Sequence, residues 1–251
     1  MDVKKEKGPE SLDFKGFHLS RVGSVGYRGF MPGIFCSREL TEGIDGGPES
    51  VRARLGELLP DNRIVCLRQV HSDRIVTVDD APFEGFPEAD GVVSADPSTV
   101  LCIRTADCVP VRLWDEVLQV SGALHAGWRG LALGIVAKGL DLMRSMGCRD
   151  IHVGLGPAIG PCCYTVGPEV VRALGTEPST SSTGSLSVDL HAVALRQVTA
   201  FGVDPSRIHV LRSCTCCTAS YFSYRRDGPA AGRNLSLIGG DACSLPGLPA
   251  L

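Results

Sequence analysis

His71, Cys108 and His125 are the residues of this chain whose types could do chemistry together. They fall in three short segments: RQVHSD (Arg68 to Asp73), RTADCVP (Arg104 to Pro110) and LHAGWRG (Leu124 to Gly130). Two imidazoles and a thiolate are the donor set that a borderline-soft divalent ion such as zinc prefers. Three protein donors, rather than four, would leave a position for water or substrate, which is how catalytic zinc differs from structural zinc. The three residues are far apart in sequence, so only a folded scaffold can join them. Taken singly, each also fits a plainer role, a hydrogen-bonded structural histidine or a small buried cysteine.

Neighbouring residues extend the chemistry. Asp107 adjoins Cys108, and a carboxylate beside an activated water can shuttle its proton or orient a ligand imidazole. Adjacent residues of an extended chain point opposite ways, so that role requires a turn at Ala106 to Cys108. The run HAGWRGLALG opens into a helix, whose N-terminal N–H groups attract anions, with Arg129 adding a fork of donors. The segment YFSYRRDG (Tyr221 to Gly228) pairs aromatics with Arg225 and Arg226, which suits a phosphate or a base, although an ordinary surface hairpin accounts for it nearly as well.

The elements that must position these residues are mostly strands. Ile64 to Val70, Arg74 to Val78, Gly91 to Ser94, Val100 to Arg104, Val109 to Trp114 and Val120 to Leu124 are short runs rich in Val, Ile and Leu, many separated by Pro, Gly, Asp or Ser. Leu131 to Met146 then changes to helical period. Ile151 to Leu155 reads as a strand, Pro168 to Leu174 and Val188 to Ala200 as helices, and Ile208 to Leu211 and Asn234 to Leu237 as closing strands. Glu177 to Ser187 is polar and reads as a surface loop. A block of strands followed by helices predicts a mixed α+β fold rather than regularly alternating βαβ units. On this map His71 and His125 lie at strand ends and Cys108 between two strands, where a sheet fixes the backbone and leaves the ends accessible.

Composition narrows the function classes. The chain has 251 residues, 43% hydrophobic, and a formal net charge of -3, which argues against a nucleic-acid or anionic-membrane partner. It contains no apolar run near the roughly 20 residues of a membrane span, and its charged start lacks the apolar core of a secretory signal, so a cytoplasmic location is expected. Of eleven cysteines, the isolated Cys36, Cys66, Cys102, Cys148 and Cys243 read as small buried hydrophobes. Cys162-Cys163 and Cys214-Thr215-Cys216-Cys217 are less easily dismissed, yet neither has the paired CxxC…CxxC spacing of a structural zinc site.

QVHS, TADC with a proline at one remove, HAGWRG, GPAIGPCCY and FSYRRDG occur in the order they have in the YfiH family, also called laccase-domain, multicopper polyphenol oxidase or peptidoglycan editing factor. The chain resembles that family from about Arg63 to about Ile238. The resemblance implies a single YfiH-like domain over residues 1–251, an α/β sandwich of layered mixed sheets flanked by helices, and zinc on His71, Cys108 and His125; residues 1–15 are expected to be disordered. It implies phosphorolysis of adenosine, inosine, guanosine or methylthioadenosine, and deamination of adenosine, with purine nucleoside and phosphate as partners; it does not fix the oligomeric state. Asp107 and Cys108 are then the catalytic candidates, and Arg129, Arg225 and Arg226 the phosphate-binding ones. The sequence departs from the family at SRVGSV (Ser20 to Val25), which keeps only Arg21 and Gly23 of the usual opening, at GIFCSREL, at Thr165 in place of a common glutamate, and at Ala194, while Gln197 is kept.

Three alternatives stand beside the purine enzyme. One is a peptidoglycan-precursor amidase using the metal water or Cys108 as nucleophile. Another is a copper-dependent phenol oxidase, for which six histidines in total are few. The third is a non-catalytic, metal-stabilised binding protein, which requires a fourth protein ligand from Cys162, Cys163 or the 214–217 cluster.

Overall fold

Strand alternation organises the molecule into layers. The computed structural model describes residues 11–14, 17–20, 34–36, 46–78 and 85–240. One six-stranded sheet runs β1 (Ser11–Phe14), β2 (Phe17–Ser20), β3 (Ile34–Cys36), β14 (Asn234–Ile238), β7 (Thr99–Thr105), β4 (Arg63–Cys66). A second runs β13 (Ile208–Val210), β10 (His152–Leu155), β8 (Val109–Asp115), β9 (Val120–Ala126), β6 (Gly91–Ser94), β5 (Ile75–Val78). Both sheets are mixed: β4 with β7, β10 with β13 and β5 with β6 are parallel, and the other neighbours are antiparallel.

Successive residues of a strand face opposite sides. Leu101 and Ile103 of β7 therefore point inward, against Val92 of β6, Ala123 of β9 and Trp114 of β8, and fill the space between the sheets. Val100 and Cys102 point outward with Leu235 and Leu237, onto Val51 and Leu55 of α1 (Pro48–Leu58). Val109, Val111 and Leu113 of β8 face the other outer layer. There they meet Ile135, Leu140 and Met143 of α3 (Ile135–Ser145) and Val193 and Val198 of α5 (Leu190–Ala200). Each such burial contributes roughly 1.5–3 kcal/mol. The expected layered α+β architecture is present, and no helix among the described residues is long and apolar enough to cross a membrane.

Several elements differ from expectation. The strand expected over Ile64 to Val70 ends at Cys66, and only Arg68 bridges onward, to Glu88. The helix expected over Leu131 to Met146 is two, α2 (Trp128–Ala132) and α3, because Gly134 adopts φ +80°, a conformation that breaks the helix and favours glycine. The helix expected at Pro168 to Leu174 is α4 (Pro168–Leu174). The loop expected at Glu177 to Ser187 carries a small ribbon of β11 (Ser179–Thr180) and β12 (Leu186–Ser187), bridged to Thr165. A short helix, α6 (Tyr224–Asp227), replaces the hairpin alternative at YFSYRRDG. Of the stretch 1–15 expected to be disordered, Ser11–Phe14 forms β1 and the rest lies outside the described residues. Most of the divergent SRVGSV and GIFCSREL segments also lies outside them.

Candidate metal centre

The register of the second sheet brings the three segments to one end of it. Pro110 pairs with His125 and Val109 with Ala126, so Cys108, just before β8, lies opposite Gly127, just after β9. Gly91 pairs with Leu124, which sets Asp90 across from His125, whose N–H donates to the Asp90 carbonyl at 2.7 Å. Gly156, just after β10, donates to the Pro110 carbonyl at 2.9 Å, so the loop that follows it enters at the same end.

His71 sits on a loop, and two side chains shape that loop. Gln69 pairs with both backbone groups of Arg104: its Nε2 donates to the carbonyl at 2.7 Å, and the Arg104 N–H donates to Oε1 at 2.9 Å. The Asp90 carboxylate accepts the N–H groups of Val70, His71 and Ser72 at 3.2, 3.0 and 2.6 Å, and the Ser72 hydroxyl at 2.8 Å. These bonds hold His71 at φ +61°, while Asp107 adopts φ +94° beside Cys108. A left-handed backbone at a non-glycine residue costs about 1–3 kcal/mol, so it persists only where surroundings fix it.

The donor atoms of His71, Cys108 and His125 lie within 4.8 Å of one another, with the imidazoles edge to face at 4.8 Å between centroids. His125 is 4% exposed and Asp90 fully buried, and His125 Nδ1 donates to Asp90 Oδ1 at 2.8 Å. That bond commits Nδ1 to the proton and leaves Nε2 as the donor atom facing the cluster. Burial works against the Asp90 carboxylate, but the hydrogen bond from His125 and those from Ser72 outweigh it and hold its pKa at about 2. Burial likewise pushes the Cys108 thiol up, while the charge of His125 and hydrogen bonds from both histidines bring it down to about 6. Burial opposes the His125 imidazolium, yet Cys108 and Asp90 raise it to about 9. Without a metal the pair is therefore thiolate and imidazolium near neutral pH.

The residues fit a small cation. A Cβ added at Gly127 would lie 3.0 Å from Cys108 Sγ and 3.2 Å from His71 Cδ2, so glycine is what opens the cradle between two donors. A Cβ at Gly130 would lie 3.0 Å from the Ser72 carbonyl, so that glycine lets α2 approach the His71 loop. Gln197, which the sequence keeps from the family pattern, donates to the Leu131 carbonyl at 2.7 Å and ties α5 to α2.

The other expected site residues are placed differently. Asp107 turns away into buried contacts: Oδ1 accepts the Thr215 hydroxyl and Oδ2 the Arg225 N–H, both at 2.7 Å. Its carboxylate thus braces two loops instead of standing free as an acid or base. Arg226 donates to the carbonyls of Thr215, Cys216, Thr218 and Tyr221 and to the Asp227 carboxylate, so its guanidinium is committed to holding its own loop rather than a phosphate. Arg225 is partly committed, donating to the Cys163 and Thr165 carbonyls and to the Thr165 hydroxyl. Arg129 is exposed, its guanidinium 4.5 Å from the Trp128 ring.

Two residues were missed by sequence reasoning. Asp90 orients the His125 ring and anchors the backbone of the His71 loop, and its one signal was an acidic residue directly before a strand glycine. Tyr164 is the other: the Arg225 guanidinium lies 5.4 Å from its ring, and burial, the largest cause, raises its hydroxyl to about 12. Among the described residues no fourth donor joins His71, Cys108 and His125; Cys162, Cys163, Cys214 and Cys217 form a group of their own.

The family described as multi-copper polyphenol oxidoreductase laccase matches residues 28–241. The chain belongs to this family. Within this laccase-like group it is 36% identical over 231 residues to a purine nucleoside phosphorylase of Mycobacterium tuberculosis, covering 88% of this chain and 91% of that protein. It is 39% identical over 210 residues to the purine nucleoside phosphorylase YlmD of Geobacillus stearothermophilus, covering 75% and 77%. The crystal structure of that YlmD superposes with a TM-score of 0.77 at 30% identity, over 93% of this chain and 99% of YlmD. The crystal structure of the YfiH protein of Bacillus licheniformis superposes with a TM-score of 0.73, also at 30% identity, over 82% and 91%. The YfiH resemblance read from the motifs is thus correct. The relatives support an enzyme of the purine nucleoside phosphorylase type, and this chain carries a His–Cys–His cluster suited to a metal.

Proposed function

We propose that this chain is a cytoplasmic, zinc-dependent purine nucleoside phosphorylase that also deaminates adenosine. The observation that carries the proposal is the convergence of His71, Cys108 and His125 around an open cradle, with Asp90 fixing the tautomer of His125. His71, Cys108 and His125 would hold the ion, which when bound supplies a Lewis acid and a water of lowered pKa. Asp90 keeps the His125 imidazole aimed and fixes the backbone of the His71 loop, and Arg129 offers an exposed guanidinium for phosphate. The substrate range assigned is adenosine, inosine, guanosine and methylthioadenosine. A cytoplasmic setting keeps the thiolate ligand reduced.

Copper-dependent phenol oxidation fits less well. A multicopper oxidase needs many histidine ligands, whereas the chain has six histidines and the described residues hold one histidine-bearing cluster. One specific observation favours a second reading. Cys108, His125 and Asp90 also compose a nucleophile, base and orienting carboxylate, which would suit amide hydrolysis. The two readings separate by metal: chelation abolishes activity if Cys108 is a ligand, and zinc inhibits if it is the nucleophile.

The test is purified protein of measured zinc content, incubated with each nucleoside with and without phosphate. Expected are free base and ribose 1-phosphate only when phosphate is present, inosine from adenosine in its absence, and loss of both in His71→Ala. Full zinc occupancy with no turnover of any nucleoside would sink the proposal.

A further inference from the structure

A second sulfur cluster lies outside the site described above. Cys162, Cys163, Cys214 and Cys217 bring four Sγ atoms within 4.8 Å of one another. The Cys162 and Cys217 sulfurs are 3.7 Å apart, and those of Cys163 and Cys217 are 3.4 Å apart. A tetrahedral zinc with Zn–S of about 2.3 Å requires sulfurs about 3.8 Å apart, so these thiols already stand near the corners of such a tetrahedron. A disulfide requires about 2.05 Å, well short of either separation.

Topology explains the meeting. β10 and β13 are parallel neighbours, so the loops after them leave the sheet side by side. Those loops continue to pair beyond the strands: Ala158 N–H donates to the Ser213 carbonyl at 3.2 Å, and Thr215 N–H donates to the Ala158 carbonyl at 3.1 Å. This sets the vicinal pair Cys162-Cys163 against the C-x-x-C pair Cys214 and Cys217. The surroundings suit metal-bound thiolates. The Gly160 N–H donates to Cys214 Sγ at 3.2 Å, as backbone donors do to charged sulfur. Arg225 donates to the Cys163 carbonyl and Arg226 to the Cys216 carbonyl, so two guanidinium groups border a complex that would carry two negative charges.

We propose that Cys162, Cys163, Cys214 and Cys217 form a second metal site, a closed tetrathiolate that takes zinc as a structural ion. Binding exchanges four thiol protons for one divalent ion, with no change of oxidation state. The site clamps the loop that ends in Tyr164 to the loop that carries Thr215. Because Thr215 holds Asp107, directly before Cys108, the clamp steadies the open centre without entering it.

The experiment uses the full chain purified anaerobically with reductant. Zinc is measured in the wild type, in His71→Ala/Cys108→Ala and in Cys162→Ser/Cys217→Ser. The expected result is two equivalents in the wild type and one in each double variant. The equivalent kept by Cys162→Ser/Cys217→Ser doubles as the check that this variant has folded. Cobalt added to His71→Ala/Cys108→Ala should give the intense near-ultraviolet thiolate charge-transfer bands of a tetrahedral tetrathiolate, and zinc should protect the four cysteines from alkylation. The proposal is overturned if His71→Ala/Cys108→Ala binds no zinc and all four thiols alkylate equally fast with and without the metal. Recovery of a Cys163–Cys217 disulfide from the reduced preparation would overturn it as well.

Discussion

At one end of the second sheet, His71, Cys108 and His125 gather against a buried carboxylate; on the adjoining loops Cys162, Cys163, Cys214 and Cys217 gather as four thiols. The first cluster has three donors of mixed type, each held by a different segment, with Asp90 bonded to two of those segments. The second has four donors of one type on two loops that pair along their backbones. Mixed donors around an open position suit exchange of water and substrate, and four thiolates suit permanent closure. The difference teaches that orientation, rather than donor count, is what the fold invests in at the reactive centre. Two of the three non-glycine residues with left-handed backbone among the described residues, His71 and Asp107, stand there.

That contrast can be broken most directly at Asp90. Asp90→Asn keeps the size of the side chain but loses the charge that pairs with His125, so zinc affinity at the open centre should fall about 10–100-fold. The four-thiol zinc should be unaffected. Competition with a chromogenic chelator reads both, and equal losses at the two sites would show that Asp90 supports the fold rather than the imidazoles.

A pH series sharpens the comparison. Between about 6 and about 9 the metal-free open centre holds a Cys108 thiolate and a protonated His125. Zinc must displace that one proton, so affinity should rise about tenfold per pH unit across this window and level off above it. Below about 6 the Cys108 thiol is protonated as well, and the slope should steepen. Calorimetry in buffers of different ionisation enthalpy counts the protons, and a flat profile would refute the ion-pair description.

The smallest effect on metal is expected at the link between the clusters. Thr215→Val removes the hydroxyl that donates to Asp107 at 2.7 Å in a buried setting. It should cost about 1.5–3 kcal/mol of stability in denaturant unfolding, as for a hydrogen bond to a charged group, while changing zinc affinity at the open centre by less than Asp90→Asn. A loss of affinity as large as that of Asp90→Asn would make Asp107 part of the centre itself.

Much of this was legible in the chain. Short runs rich in Val, Ile and Leu marked β6, β7, β8 and β9 to within two residues at each end, since burial on both faces leaves little choice of side chain. The motifs around His71, Cys108 and His125 identified the three donors. The roles of Asp90, Asp107 and Arg226 were not legible, because each is set by partners far away in sequence. Asp90 reads as a turn residue until the register of β6 against β9 places it across from His125. Arg226 reads as a free cation until the loop folds back and surrounds it with carbonyls.

The sequence by itself determined the donor chemistry, the strand and helix periods and the family, for these depend on residue type and on local spacing. Only the tertiary structure decided which charges are free and which are bound, and which thiols meet. The vicinal and C-x-x-C cysteines lack the paired spacing of a zinc motif, and they come together because β10 and β13 run parallel and deliver their loops to the same edge. Spacing along a chain fixes what lies on one element. Register between strands fixes what shares a site.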